Sequence, residues 1–482
     1  MIKSERYDST RMPISASWVR QELEAEGHVI GRNGGWGVLR SLRGAFDAGV
    51  GLAMLAPLAS TVAGPVIIVA VISRLTPEGQ GYFYTFNSLL AFQILFDMGS
   101  AQVLLQFASH EWSLLGLDRV GKITGSQEAL AKLRSLLTFA IRWASGIAAV
   151  AGIVLGLAGV AMFSHSGNSG VRWLGPWVAL CAITALNMLM TPVWALLEGC
   201  NRITQVYTYR FFANVAQNGC ICCALFAGGG LWAIPLGAAA MFSVSVTMLL
   251  RKHGGFLAQI RAAGHQAGIS WRHELWPVQW RFALSWWSGY FLSYFFTPIL
   301  FHYYGPVVAG QMGMTWSVVA TIAAVSTAWI STKAARFGML IARREYEELD
   351  RMAVRSGVAC VGVAALGAVG LESVVLALHS IGSPLANRIL PPLPTGLFLA
   401  GQVLMQATAV EAVYLRAHKR EPFAALSATA ALLVVGLSCY FGEAYGAVGA
   451  AASYCGVTLL FILPAGTAIL MRCRRRWHEC LQ

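Results

Sequence analysis

The chain has 482 residues, 56% of them hydrophobic and 12% charged, with a mean hydropathy of +0.59. That apolar surplus excludes a soluble globular protein and leaves little chain for a soluble domain. The net charge of +13 does not indicate a nucleic-acid binder, because the basic residues are scattered over seven segments and not gathered on one face with stacking aromatics.

Residues 1–44 are polar and mixed in charge, with no early apolar core, so no cleavable signal peptide is expected and the first span is expected to serve as anchor. Within this extension Ser17 is placed to cap a short amphipathic helix reaching Glu26, with Gly27 ending it. Apolar runs of membrane-spanning length then follow at about 48–73, 83–108, 136–163, 173–198, 206–228 and 231–250. A basic stretch from Arg251 to Arg272 separates them from six more, at about 281–303, 307–331, 356–379, 393–415, 423–440 and 446–471. The expected fold is therefore all-α and polytopic, with about twelve transmembrane helices. The division is an N-terminal extension (1–44), a first half (45–252), an inter-half linker (253–280), a second half (281–472) and a basic tail (473–482).

The loops between spans alternate in charge. Of the 35 Lys and Arg residues, 30 fall on one side; Arg74, Arg172 and Arg388 fall on the other, and Arg142 and Arg281 lie within or at the edge of spans. Basic residues resist translocation, so the rich side is expected to be the cytoplasm, with both termini there. The halves also echo each other. Arg74-Leu-Thr-Pro-Glu-Gly-Gln-Gly-Tyr leads into the second span, and Tyr304-Gly-Pro-Val-Val-Ala-Gly-Gln-Met into the eighth. With an even number of spans in each half, the repeat is expected to be parallel, about an axis along the membrane normal.

Polar residues inside spans are costly and usually face an interior or a cavity. Helical spacing groups Thr184, Asn187, Thr191, Trp194 and Glu198 on the fourth span, and Tyr207, Arg210, Asn214, Gln217 and Asn218 on the fifth. The second span carries Gln93, Asp97 and Ser100, the seventh Trp286, Tyr290, Ser293 and Thr297, and the tenth Gln402 and Gln406. Arg142, Arg210 and Arg281 either serve a cavity or snorkel to the interface. Glu198 either couples an ion or pairs with Arg202. Of the ten cysteines, Cys220, Cys222 and Cys223 cluster inside an apolar span with no His or second Cys pair at ligand spacing, and read as small buried hydrophobes. No metal site is expected: His28, His110, His253 and His273 read as isolated and exposed. Gly116-Leu-Asp-Arg-Val-Gly121-Lys122-Ile123 spaces like a phosphate loop but lacks Ser or Thr after the lysine, and no strand is expected before it.

The chain resembles the multidrug/oligosaccharidyl-lipid/polysaccharide (MOP) exporter superfamily, and within it the bacterial polysaccharide flippases. The likeness covers about 48–472. It is carried by the order of Ser73-Arg74-Leu75 through Gly81-Tyr82-Phe83, Phe96-Asp97-Met98-Gly99-Ser100-Ala101-Gln102, Leu197-Glu198-Gly199-Cys200-Asn201-Arg202 and Tyr445-Gly446-Ala447-Val448-Gly449-Ala450-Ala451. A partial rival likeness, Asp118-Arg119-Val-Gly121-Lys122, is to a loop of the major facilitator superfamily. The MOP resemblance implies two pseudo-symmetric six-helix lobes around a central cavity that opens to one side at a time. It implies a flippase for polyprenyl-pyrophosphate-linked oligosaccharide in a bacterial inner membrane, serving cell-surface polysaccharide synthesis, and not an enzyme. The alternatives are a cation-coupled multidrug or small-molecule exporter on the same scaffold, and a non-transporting membrane subunit of a polysaccharide synthase. In the flippase reading Arg142, Arg210 and Arg281 meet the pyrophosphate. Asn187, Asn214, Gln217, Trp286, Trp287 and Tyr290 meet sugars, and Asp97 and Glu198 are candidates for coupling to H+ or Na+. No cofactor is expected. The implied partners are the lipid-linked oligosaccharide, membrane lipids and polysaccharide polymerase or synthase components.

Overall fold

The computed structural model describes residues 63–118, 121–164, 170–264, 276–418 and 422–479, all within one compact unit, Leu52–Gln482. The extension 1–44 with its Ser17–Glu26 helix, the start of the first span, the linker from 265 to 275, Cys480 and the side chain of Arg281 lie outside the described residues.

Sixteen α-helices carry the described chain. The first half contains α1 (Ala63–Arg74), α2 (Pro77–Ala91), α3 (Gln93–Asp97), α4 (Ser100–Trp112), α5 (Gln127–Ser164), α6 (Leu174–Met188), α7 (Thr191–Gly199), α8 (Ile203–Phe226) and α9 (Ala233–Ala262). The second contains α10 (Trp276–Ser293), α11 (Phe296–Ser331), α12 (Ala334–Arg343), α13 (Tyr346–Ser380), α14 (Pro392–Ala417), α15 (Ala424–Val457) and α16 (Leu463–Glu479). Seven helical stretches are long and apolar enough to cross a membrane, or eight if the bent pair α2–α3 plus α4 is one span. Two of the seven, Trp286–Arg343 and Ala424–Trp477, run to 58 and 54 residues, far beyond the roughly 20 that one crossing needs.

Local chemistry sets the helix ends and breaks. Thr76 caps α2, its hydroxyl accepting from the Gly79 N–H at 3.1 Å, with Pro77 in the first turn. The second span is not the continuous rod expected over 83–108. It starts earlier, at Pro77, and breaks where Met98 and Gly99 both take left-handed angles (φ 51° and 68°), bending the axis by 44°. The fourth span is divided at Leu189–Met190, just before Pro192. Gly305 (φ 80°) before Pro306 interrupts α11, and Gly446 (φ 60°) interrupts α15. The sixth span continues past its expected end at 250, to Ala262, so the first part of the expected linker is helical.

The phosphate-loop spacing proves to be a β-hairpin, Leu115–Leu117 paired with Ile123–Gly125. A short strand does precede the loop, contrary to expectation, but no helix opens behind it. Gln259 of α9 holds the hairpin by accepting from Ile123 N at 2.8 Å and donating to Gly121 O at 3.3 Å. His253, expected to be exposed, is instead buried, within 3.2 Å of the Tyr209 hydroxyl and packed edge-on to its ring. The helical extension of α9 draws it under α8.

One apolar core joins the two halves. Tyr82 and Phe86 of α2, Phe163 of α5 and Trp177 of α6 pack with Phe301 of α11 at ring separations of 4.9–6.4 Å. A separate core around Phe296, Trp316, Phe398 and Tyr454 fills the second half.

Candidate functional site

The site lies where α2 of the first half crosses α11 of the second. The Gly-Gln echo read in the sequence meets itself at one end of this crossing. Gly81 lies so close to Pro306 that any Cβ there would overlap the Pro306 carbonyl, and a Cβ on Gly310 would stand 2.9 Å from Gly81 N. Small residues thus let the two backbones touch. Around this contact Gln80, 1% exposed, donates to the Gly310 and Arg388 carbonyls, both at 2.9 Å, and accepts from Arg388 Nη1 at 3.2 Å. Arg388 also donates to Leu75 O at 2.8 Å, and Gln311 donates to Asn387 O at 3.0 Å. Both glutamines of the repeat therefore bind the 384–388 turn. Tyr304 adds a bond to Glu443 O at 2.7 Å. The bonds of Gln80 and Arg388 form a clasp between the halves, braced within the second half by those of Gln311 and Tyr304, and its arginine-mediated members belong to the class worth about 1.5–3 kcal/mol each.

Further along the same helices the crossing opens. A cavity of about 480 Å³ lies between them, lined by Tyr84, Asn87 and Ser88 of α2, Ser293 and Thr297, Trp316 and Ser317 of α11, and Gln402 of α14. Trp316 is wedged against Phe296, Phe398 and Tyr454, which fixes its ring as a wall. Asn87 donates to Phe83 O at 2.8 Å, leaving its Oδ1. Gln402 accepts from Tyr454 at 2.9 Å, leaving its amide N–H groups. The lining carries hydroxyls, amides and aromatic faces and no charged side chain.

The expected site residues fall around this cavity more than in it. Ser293, Thr297 and Gln402 of the expected polar faces line it; Gln406 is buried and accepts from Thr327 at 2.9 Å. Tyr290 is buried and donates to Ser88 O at 3.3 Å, and Trp287 donates to Leu95 O at 3.1 Å. Both tie α10 to the broken second span, beside a half-exposed Trp286. Asn187 bridges helices by donating to Ala238 O at 3.3 Å. Asn214 and Gln217 are half-buried on α8.

The charged candidates sit in the first half. Glu198 pairs with Arg210 at 2.7 Å, not with Arg202, and Arg210 lies 5.6 Å from the Tyr207 ring centre. Asp97 stands at the break of the second span, where Ser100 donates to its Oδ1 at 2.8 Å. No cationic side chain is within ion-pair distance of it among the described residues. A small cavity of about 40 Å³ adjoins it, lined also by Phe139 and Trp143 of α5 and Gln279 of α10, the helices that carry Arg142 and Arg281. Arg142 itself is exposed. Among the described residues no group of three or more His, Cys, Asp and Glu is arranged to hold a metal ion.

Sequence reasoning missed Tyr84, Asn87, Ser88, Trp316 and Ser317. The signal was present: Tyr84, Asn87 and Ser88 stand at i, i+3 and i+4, as do Gly313, Trp316 and Ser317.

The described helices, with the two halves clasped at one end of a helix crossing and parted around a cavity further along, share the fold of solved MOP-superfamily transporters. The sequence matches no family model and no curated protein. Among solved structures, the chain is similar to the lipid II flippase MurJ in an inward closed conformation, with a TM-score of 0.62 and 12% identity over 87% of each chain. It is similar also to the MATE multidrug transporter DinF-BH in complex with R6G, with a TM-score of 0.57, 14% identity, and 90% of this chain and 96% of that one covered. An inward-facing MATE family transporter of the MOP superfamily gives a TM-score of 0.56 at 11% identity, over 88% of this chain and 98% of that one. These likenesses establish the fold. The solved structures are named as a flippase and as multidrug transporters.

Proposed function

We propose that this protein is a flippase that moves a polyprenyl-pyrophosphate-linked oligosaccharide across a bacterial inner membrane by alternating access. The observation that carries the reading is the cavity lining: amides, hydroxyls and a fixed Trp316 face suit neutral sugars. A cation-coupled drug exporter calls for a carboxylate there, and the described lining has none. A non-transporting synthase subunit has no use for a clasped crossing over a polar cavity.

In this reading the chain crosses the membrane twelve times, with the two longest stretches each divided at its non-helical glycine, Gly305 or Gly446. The two sets of six spans form lobes. The basic loops and both termini face the cytoplasm, which puts Arg388 and the clasp on the far side and the way into the cavity on the near side. The sugars occupy the cavity and the polyprenyl tail stays in lipid. Arg142, Arg210 and Arg281 lead the pyrophosphate inward, with Asn214 and Gln217 along that path. Asp97, beside its small cavity, is the candidate for H+ or Na+ coupling, and the Glu198–Arg210 pair is a second. Substrate shifts the balance of states only through unequal affinity for them. Polysaccharide polymerase or synthase components are the expected partners.

Mass spectrometry of lipid copurifying with the full chain tests the substrate class. A sugar-bearing polyprenyl pyrophosphate supports the flippase, and its absence beside a tightly bound organic cation refutes it. Arg210→Ala or Asp97→Ala is expected to abolish surface polysaccharide while the protein still inserts. Normal export by both variants overturns these two assignments.

A further inference from the structure

A second, larger cavity lies away from the crossing, on the flank of the second half. It measures about 680 Å³ and is walled by α13, α14 and α16. Its α13 wall runs from Asp350 to Gly362, about 18 Å at 1.5 Å per residue, close to half of a ~30 Å hydrocarbon layer. The wall is apolar, with Val354 and Val358 66% and 69% exposed. The membrane window of α13 is only 11% buried, the lowest of the seven candidate spans, so the groove faces the bilayer.

The groove has a polar floor. Glu411 accepts from Thr467 at 2.7 Å through one oxygen, while its other oxygen is buried beside Gly466 with no hydrogen-bond partner among the described residues. At the mouth Arg474 grips Asp350 through two nitrogens at 3.0 and 2.6 Å, and Tyr414 donates to the same carboxylate at 2.7 Å. Asp350 is thereby neutralised. Glu348 faces Arg351 at 3.8 Å, while Glu345 and Glu347 balance Arg343 and Arg344 in the same short stretch. Arg355 on α13 and Arg472, Arg475 and Arg476 on α16 are exposed, on the turns that carry the lining residues Val354 and Arg474.

We propose that this groove binds an anionic phospholipid of the arginine-side leaflet, its acyl chains along α13 and its phosphate on the arginines of α16. The depth fits one leaflet, the wall fits acyl chains, and the mouth offers cations that make charge-assisted bonds to phosphate. The site is separate from the transport cavity and does not rest on the substrate proposed for it.

Native mass spectrometry of the detergent-solubilised full chain, titrated with phosphatidylglycerol, phosphatidylcholine or a polyprenyl phosphate, tests this. Phosphatidylglycerol is expected to be retained about tenfold more strongly than phosphatidylcholine, the scale of one charge-assisted contact. A Cβ at Gly362 meets nothing within 4 Å, so Gly362→Phe is expected to fill the groove and abolish that preference with the fold intact. The pair Arg475→Gln and Arg476→Gln, which leaves Asp350 gripped, is expected to bring phosphatidylglycerol down to the phosphatidylcholine level. Equal retention of the two phospholipids by the unaltered chain overturns the proposal, as does an unchanged preference in Gly362→Phe. Stronger retention of the polyprenyl phosphate assigns the groove to substrate instead. A copurifying protein lost on Gly362→Phe assigns it to a partner helix.

Discussion

The crossing of α2 and α11 behaves in opposite ways along its length. At the Gly81–Gly310 end the backbones touch, and Gln80 and Arg388 stitch the halves together. Past Tyr84 and Gly313 the same two helices part around a cavity of about 480 Å³ whose lining carries amides and hydroxyls among apolar and aromatic groups. Near the clasp the positions that face across are glycines; past it they are Asn87, Ser88, Trp316 and Ser317. Residue size along one helix pair thus decides where the halves meet and where a cavity opens. In the proposed transport cycle, closure at one end and access at the other are two consequences of one contact.

Enlarging a glycine attacks the comparison hardest. Gly81→Val forces bulk into the Pro306 carbonyl, an overpacking cost of about 1–3 kcal/mol, or about 5- to 150-fold in a two-state balance. Transport in reconstituted vesicles is expected to fall at least about fivefold at that cost, while detergent-solubilised protein still elutes as a single folded species. Removing the stitches comes next. Gln80→Ala leaves the Gly310 carbonyl and Arg388 without their partner, a loss of about 1–3 kcal/mol. A double-mutant cycle with Arg388→Ala, read by thermal unfolding, is expected to show strong coupling; additive effects would place the two outside one network.

Changes on the open side sharpen the contrast. Asn87→Leu with Gln402→Leu removes two amides from the cavity lining, groups proposed to meet sugars. Transport is expected to drop with thermal stability nearly unchanged, since both residues spend only part of their bonding capacity on the protein. Glu198→Gln is expected to have the smallest effect on stability. Its partner Arg210 is 41% exposed, so solvent screens the pair and the loss is about 1 kcal/mol or less.

The twelve-run hydropathy pattern made the membrane class legible, and the Pro…Gly-Gln echo marked both helices of the crossing. That the two copies press on each other was not legible, because periodicity shows which face of a helix is special and not which helix it meets. The same limit explains the charged candidates. Arg210 lies on the expected face of α8, yet that face turns its guanidinium to Glu198 and not to the described cavity lining. Asp97 drew notice as a costly intramembrane carboxylate. The left-handed Met98–Gly99 break beside it rests on backbone geometry that Met98 gave no reason to expect. His253 read as exposed only because α9 was expected to stop before it.

Alternating access, as proposed, requires the two ends of the crossing to move in opposition. Spin labels at exposed Thr76 and Leu385 report the clasp, and labels at His110 and Met339 report the opposite end. Pulsed dipolar distances in Gly81→Val, compared with the unaltered chain, are expected to lengthen for the first pair and shorten for the second. If both distances lengthen together, or neither changes, the clasp does not govern access to the cavity.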